Sequence, residues 1–119
     1  MAAPNIVGVT SIYGKTAVQN VDTTATSIVE NTAASGKVLK INTLIISNIT
    51  GSIPVDISVD VYKNSNSYSI ASTIAVPADA TLIVLSKDTS IYLEEGDSLR
   101  AVASATNSLQ AVCSYEEIS

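Results

Sequence analysis

The sequence predicts an all-β protein, an antiparallel β-sandwich of the jelly-roll or immunoglobulin-like kind with roughly 8–10 short strands and little or no helix. Three observations predict it. Hydrophobic residues make up 46% of the 119, yet there is no Phe or Trp and only five Tyr, so the core must come from Ile, Val, Leu and Ala in a chain rich in β-branched residues, Ser and Thr. Turn signals recur at short intervals, in AASGK (33–37), NITGS (48–52), KNSNS (63–67), PADA (77–80), EEG (94–96) and TNS (106–108). No stretch repeats apolar residues at i, i+3, i+4 and i+7 between caps, as an amphipathic helix would. A chain of this length fits a single sandwich domain, 1–119, burying about two-thirds of the surface its unfolded form exposes.

The run VLKINTLIISNIT (38–50) holds Leu44, Ile45 and Ile46 consecutively. That pattern fits a central strand covered on both faces, or an apolar patch that meets another subunit. In PVDISVDVY, Val55, Ile57, Val59 and Val61 alternate with Asp56, Ser58 and Asp60, which makes one face core and the other wet. In YSIASTIAV, Tyr68, Ile70, Ile74 and Val76 form the apolar set. Keeping both apolar sets on one side requires an even loop between these strands, because a one-residue slip flips every side chain. A two-residue turn at Asn64 and Ser65, or a four-residue one over 63–66, would set Val61 opposite Tyr68 and Val55 opposite Ile74.

Farther on, Ile91 and Leu93 share a parity with Leu99, Ala101, Ala103 and Ala105, so an odd loop is expected. Glu94, Glu95 and Gly96 supply it, with Gly96 taking the left-handed position of a bulged turn. The hairpin would oppose Ile91 to Leu99 and Leu93 to Asp97. By the same logic a loop at 106–108 would oppose Ala105 to Leu109, Ala103 to Ala111, Ala101 to Cys113 and Leu99 to Tyr115. Cys113 then reads as a small buried hydrophobe, with no cationic neighbour to activate it.

This register gathers Glu94, Glu95, Asp97, Glu116 and Glu117 at one end of the sandwich, with Asp97 facing Glu117. Such an acidic end could be simply solvated, could dock on a basic surface of a partner, or could hold a divalent cation, although its spacing matches no calcium-loop motif. Paired-carboxylate catalysis is rejected, because Glu94 and Glu95 have no apolar wall to raise one pKa. On the exposed sheet face, Asp56 and Asp60 lie about 13 Å apart, too far to share one ion, and Tyr62 sits beside Asp60. That face is read as solvated or partner-facing.

Histidine is absent, which removes the common nucleophilic triads, imidazole bases and His-containing zinc sites. No catalytic residue, cofactor site or metal site is assigned. The net charge of −5 and the six scattered basic residues argue against nucleic acid and anionic membrane as partners. The opening MAAPNIVGV has no basic segment followed by a long apolar one, and no apolar run reaches the roughly 20 residues a bilayer needs, so synthesis in the cytoplasm is expected. A lone Cys forbids an intrachain disulfide.

The opening MAAPNIVGVTSIYGKTAVQ, the middle GKVLKINTLIISNITG with VDISVDVYK, and the ending ADATLIVLSKDTSIYLEEGDSLRAVAS with LQAVCSYEEIS resemble small virion structural proteins of contractile-tailed marine cyanophages and related bacteriophages. The resemblance covers nearly the whole chain and carries no catalytic motif. It implies a non-enzymatic part of the virion, made in the host cytoplasm. That part would be a capsid-bound accessory decorating the shell or, alternatively, a neck, tail or fibre-associated module adhering to host glycan. Other virion proteins, major capsid or neck and tail, are the implied partners, alongside self-association as a homo-oligomer, a trimer among the options. Glycan binding would call on Tyr13, Tyr62 or Tyr92. GDSL, 96–99, is not the lipase block of the same letters, which needs a serine at a strand-to-helix elbow and a histidine.

Overall fold

In a computed structural model, residues 6–119 are described; the opening segment read for a leader lies in part, 1–5, outside the described residues. Nine strands follow one another: β1 (Ile12–Val21), β2 (Thr26–Glu30), β3 (Val38–Asn48), β4 (Val55–Lys63), β5 (Asn66–Val76), β6 (Thr81–Leu85), β7 (Ile91–Leu93), β8 (Ser98–Ala103) and β9 (Leu109–Ile118). The only helical pieces among the described residues are two three-residue 3-10 turns, Ile6–Gly8 and Lys87–Thr89. One sheet runs β1-β9-β3-β6, with β7 also on β3; the other runs β2-β8-β4-β5, and every pairing is antiparallel. The chain changes sheet at every step except β4 to β5 and β6 to β7. This order is that of a jelly roll, which decides between the two expected architectures.

The strand β3 forms the spine of the first sheet, and its sequence pattern explains how. Leu39 and Ile41 point into the core, the register slips between Ile41 and Thr43, and Leu44 and Ile46 then point inward. One extra residue, Asn42, switches the inward parity from odd to even, as a bulge must. The consecutive Leu44, Ile45 and Ile46 are therefore core, outer face and core. Opposite Asn42, β6 and β7 are interrupted by the 3-10 turn, so they act as one broken strand along β3. The core between the sheets is aliphatic: Ile41, Leu44, Ile46 and Leu93 from one side meet Ile57, Val59, Leu99 and Ala101 from the other. Each fully buried Leu or Ile contributes roughly 1.5–3 kcal/mol.

Several expected pairings are corrected. The turn at Asn64 and Ser65 is the two-residue form, both residues left-handed at φ 52° and 64°, and Val61 does oppose Tyr68. Two register shifts in β4–β5 then carry Val55 to Val76 and Ile57 to Ile74, so Val55 does not meet Ile74. As the edge of its sheet, β5 buries only Val76, and Tyr68 and Ile74 stay 57% and 42% exposed. The two carboxyl-terminal hairpins do not form. After β7, which lies on β3, the chain crosses the sandwich to β8, on β2 and β4, and crosses back to β9, on β1 and β3. Of the inward sets, Leu93, Leu99, Ala101, Ala103, Leu109, Ala111 and Cys113 are buried, whereas Ile91, Ala105 and Tyr115 are only half-buried against the core. Matching parity is satisfied equally by a hairpin and by two strands facing each other across a core.

Candidate functional site

The end of the sandwich where β3 begins and β9 ends collects the loops 31–37 and 94–97, the turn between β4 and β5, and the start of β1. In the 94–97 loop, Asp97 N–H donates to the Glu94 carbonyl at 3.0 Å and Gly96 is left-handed at φ +89°, the conformation expected for it. The Asp97 side chain folds back, its Oδ2 accepting the Glu94 N–H at 2.9 Å, and it is only 3% exposed. Lys63, at the end of β4, reaches across to donate to Asp97 Oδ2 at 2.9 Å and to Glu94 Oε2 at 2.7 Å. Its ammonium is held above the ordinary lysine value chiefly by the Glu94 and Asp97 hydrogen bonds. Glu95 turns the other way, its Oε2 accepting the Gly36 N–H at 2.8 Å.

Glu117 sits between two lysines, accepting from Lys15 at 2.8 Å and Lys37 at 2.7 Å. These hydrogen bonds, Lys15 first, hold its carboxyl below the usual value of 4.5 and hold Lys15 above its own. Glu116 points to the outer face, in register with Lys40 and Gly14. The structure brings the five carboxylates to one end, but Asp97 does not face Glu117, because Asp97 precedes β8 in one sheet and Glu117 lies on β9 in the other. Four of the chain's five lysines, 15, 37, 40 and 63, stand among them. The result is a set of local ion pairs; among the described residues no group of three or more carboxylates or thiols is placed to hold a metal.

Stability should follow these pairs in pH. A carboxyl with a depressed folded-state value contributes fully above its unfolded value and loses that contribution as pH falls through the depressed one; raised lysines lose theirs as pH climbs through values above 10.5. The melting temperature should therefore fall below pH 4.5 partly through Glu117. Melts across pH should give a shallower acid slope for Glu117→Gln than for the parent, and an identical slope would remove Glu117 from the account.

The sequence alone did not expose what ties this end together. Asn31, buried after β2, donates through Nδ2 to the carbonyls of Lys37 and Leu93, both at 2.9 Å, and its Oδ1 accepts the Ser35 hydroxyl at 2.6 Å. Its backbone N–H donates to the Asp97 carbonyl and its own carbonyl accepts the Gly96 N–H. The only hint was an Asn placed between an apolar run and a turn, where Asn commonly bonds to nearby backbone.

On the sheet face, Asp60 is clamped by Arg100 from β8, Nε to Oδ1 at 2.9 Å and Nη2 to Oδ2 at 3.1 Å, while Arg100 Nη2 also donates to Ser67 at 2.6 Å. The guanidinium carbon lies 4.3 Å from the Tyr62 ring centre, so this ring is covered by a cation. Asp56 is tied through its backbone to Ser104, whose hydroxyl accepts its N–H. Tyr13 and Tyr92 are exposed. Cys113 is fully buried, and desolvation pushes its thiol up to about 11.

No protein-family model matches the chain, and no curated protein does. Among solved structures it is similar to a chain of Bacillus endospore appendages, described as a family of disulfide-linked pili, at 14% identity and a TM-score of 0.52 over 90% of this chain and 85% of that one. It also aligns with a chain of infectious bursal disease virus, Gx strain, at 9% identity and a TM-score of 0.47, covering 91% of this chain and 32% of the viral one. At such identity the likeness to the appendage chain is one of fold alone, over most of each chain.

Proposed function

We propose that this chain is a non-enzymatic structural protein of a tailed-phage virion, a capsid-bound accessory that decorates the shell. The observation that carries the reading is the resemblance of the β-strand text, over nearly the whole chain, to small virion proteins; the jelly-roll order of the strands is compatible with it. The character of the surface agrees with it. Four of the five carboxylates, Glu94, Glu95, Asp97 and Glu117, are engaged by lysines or backbone amides, an arrangement that fixes loops instead of leaving a reactive group in a cleft. What this end offers a partner is Glu94, whose side chain is largely exposed, and Glu116 beside Lys40.

Of the three tyrosines named for the adhesive alternative, Tyr62 has a ring face covered by Arg100, which leaves Tyr13 and Tyr92 as the exposed candidates. Linkage by disulfides, as in the appendage pili, does not carry over either: the single thiol is enclosed and kept protonated.

Immunogold labelling of intact virions carrying this gene tests the assignment. Label spread uniformly over the shell is the expected result. Label confined to the neck or tail tip would overturn decoration and return the protein to the tail.

A further inference from the structure

The two sheets have four free edges, and three are guarded against pairing with another strand. On β2 there are five residues and a register shift between Ser27 and Val29. The β6/β7 edge has five and three residues, broken by the 3-10 turn. Although β5 is eleven residues long, its pairing with β4 slips twice, and Thr73 takes φ 51° with its N–H donated to Ser58 Oγ. Short length, bulges and interruption are the devices by which sheets keep edges from recruiting a neighbour.

The fourth edge, β1, has none of them. It runs ten residues in unbroken register with β9, from Ile12 opposite Ile118 to Val21 opposite Leu109, and contains no proline. Its one charge, Lys15, is turned aside to Glu117. Among the described residues, the backbone of 12–21 bonds only to β9, so one side of this strand presents unpaired N–H and C=O groups.

The outer face beside that edge says what fits it. Val18, Val112, Ile45 and Ile83 stand in one row across β1, β9, β3 and β6, and at the two ends of the row Val18 is 72% and Ile83 63% exposed. The flanking rows, Thr16, Ser114 and Thr43 on one side and Asn20, Gln110, Ser47 and Thr81 on the other, carry no charge. A shallow groove of about 420 Å³ opens at the edge between Val18, Asn20, Gln110 and Val112. Hydroxyls and amides both donate and accept, so these rows match a copy of themselves, whereas a charged partner would find nothing to pair with.

The geometry points to a homodimer in which β1 of one copy pairs antiparallel with β1 of a second about a two-fold axis, Val18 opposite Val18. In that register Thr16 meets Asn20 and Lys15 meets Val21. The two ammonium groups are kept apart, whereas parallel pairing would align them. The apolar row continues unbroken from one copy into the next, and the two β1 sheets become one. The dimer is self-complementary and closed, as an isologous contact requires, and it stands independently of any place in a virion.

Sedimentation velocity over a concentration series should show a dimer for the parent. Val18→Lys places two like charges face to face and should raise the dissociation constant by about tenfold or more, while its melting curve matches the parent's at concentrations low enough for both to be monomeric. Ile83→Lys, in the same row but on the opposite edge strand from β1, should leave the dimer intact. Val18→Cys should cross-link under mild oxidation faster than Thr16→Cys, with buried Cys113 silent. A parent that stays monomeric up to millimolar concentration, equal dissociation by Val18→Lys and Ile83→Lys, or preferential cross-linking at position 16 would each overturn the pairing.

Discussion

Leu99→Ala will lower the stability of this protein by about 2–5 kcal/mol, a large share of the 5–15 kcal/mol typical of a domain. Leu99 is fully enclosed on β8, between Val29 of β2 and Val61 of β4 in its own sheet. The next inward residues of β8 are Ala101 and Ala103, which have no side-chain length with which to close a cavity. The walls are two hydrogen-bonded sheets, so the space left by the missing atoms persists. Urea unfolding with an unchanged m-value should report the loss, and Ile83→Ala on the outer face, 63% exposed, should stay within about 0.5 kcal/mol of the parent. A Leu99→Ala variant as stable as that control would mean that the core is not organised around β8.

The reach of the sequence is marked by particular residues. Alternation placed Val55, Ile57, Val59, Leu99, Ala101, Leu109, Ala111 and Cys113 in the core, because a strand with one wet face writes its burial into every second position. Asn64 and Ser65 marked the turn, and Gly96 its left-handed residue, because these conformations are selective for residue type. Alternation carries no information on which sheet a strand joins, so the crossings at 94–97 and 104–108 looked like hairpins. β1 was not legible at all: exposed over most of its length, it has no apolar period to read. The cations at the acidic end are not legible in the sequence, since Lys15, Lys37 and Lys63 lie 102, 80 and 31–34 residues from the acids they meet. Only the fold brings such partners together.

The second large effect is expected at Asn48, the buried residue that ends β3 at the opposite end from Asn31. Its Nδ2 donates to the carbonyls of Ile53 at 3.0 Å and Val76 at 2.9 Å, and its Oδ1 accepts the Thr50 N–H at 2.9 Å and hydroxyl at 2.7 Å. Both donors and both acceptor positions of the amide are used. Asn48→Ala strands two carbonyls and an amide in or near the interior, where each unpaired group costs about 1–3 kcal/mol, so a total loss of about 3 kcal/mol or more is expected. Asn48→Asp should be no better at neutral pH, because it keeps the acceptor but turns a second oxygen toward the Ile53 and Val76 carbonyls. Asn31→Ala should act by the same mechanism at the other end, and because the two sites share no partner, the double variant should lose the sum of the single losses to within about 0.5 kcal/mol. Denaturant titrations of the two single variants and the double variant decide it. A loss at Asn48 no larger than that of an exposed loop asparagine would show that the 49–54 loop does not depend on this amide, and strong non-additivity would show that the two ends of the sandwich unfold as one coupled unit.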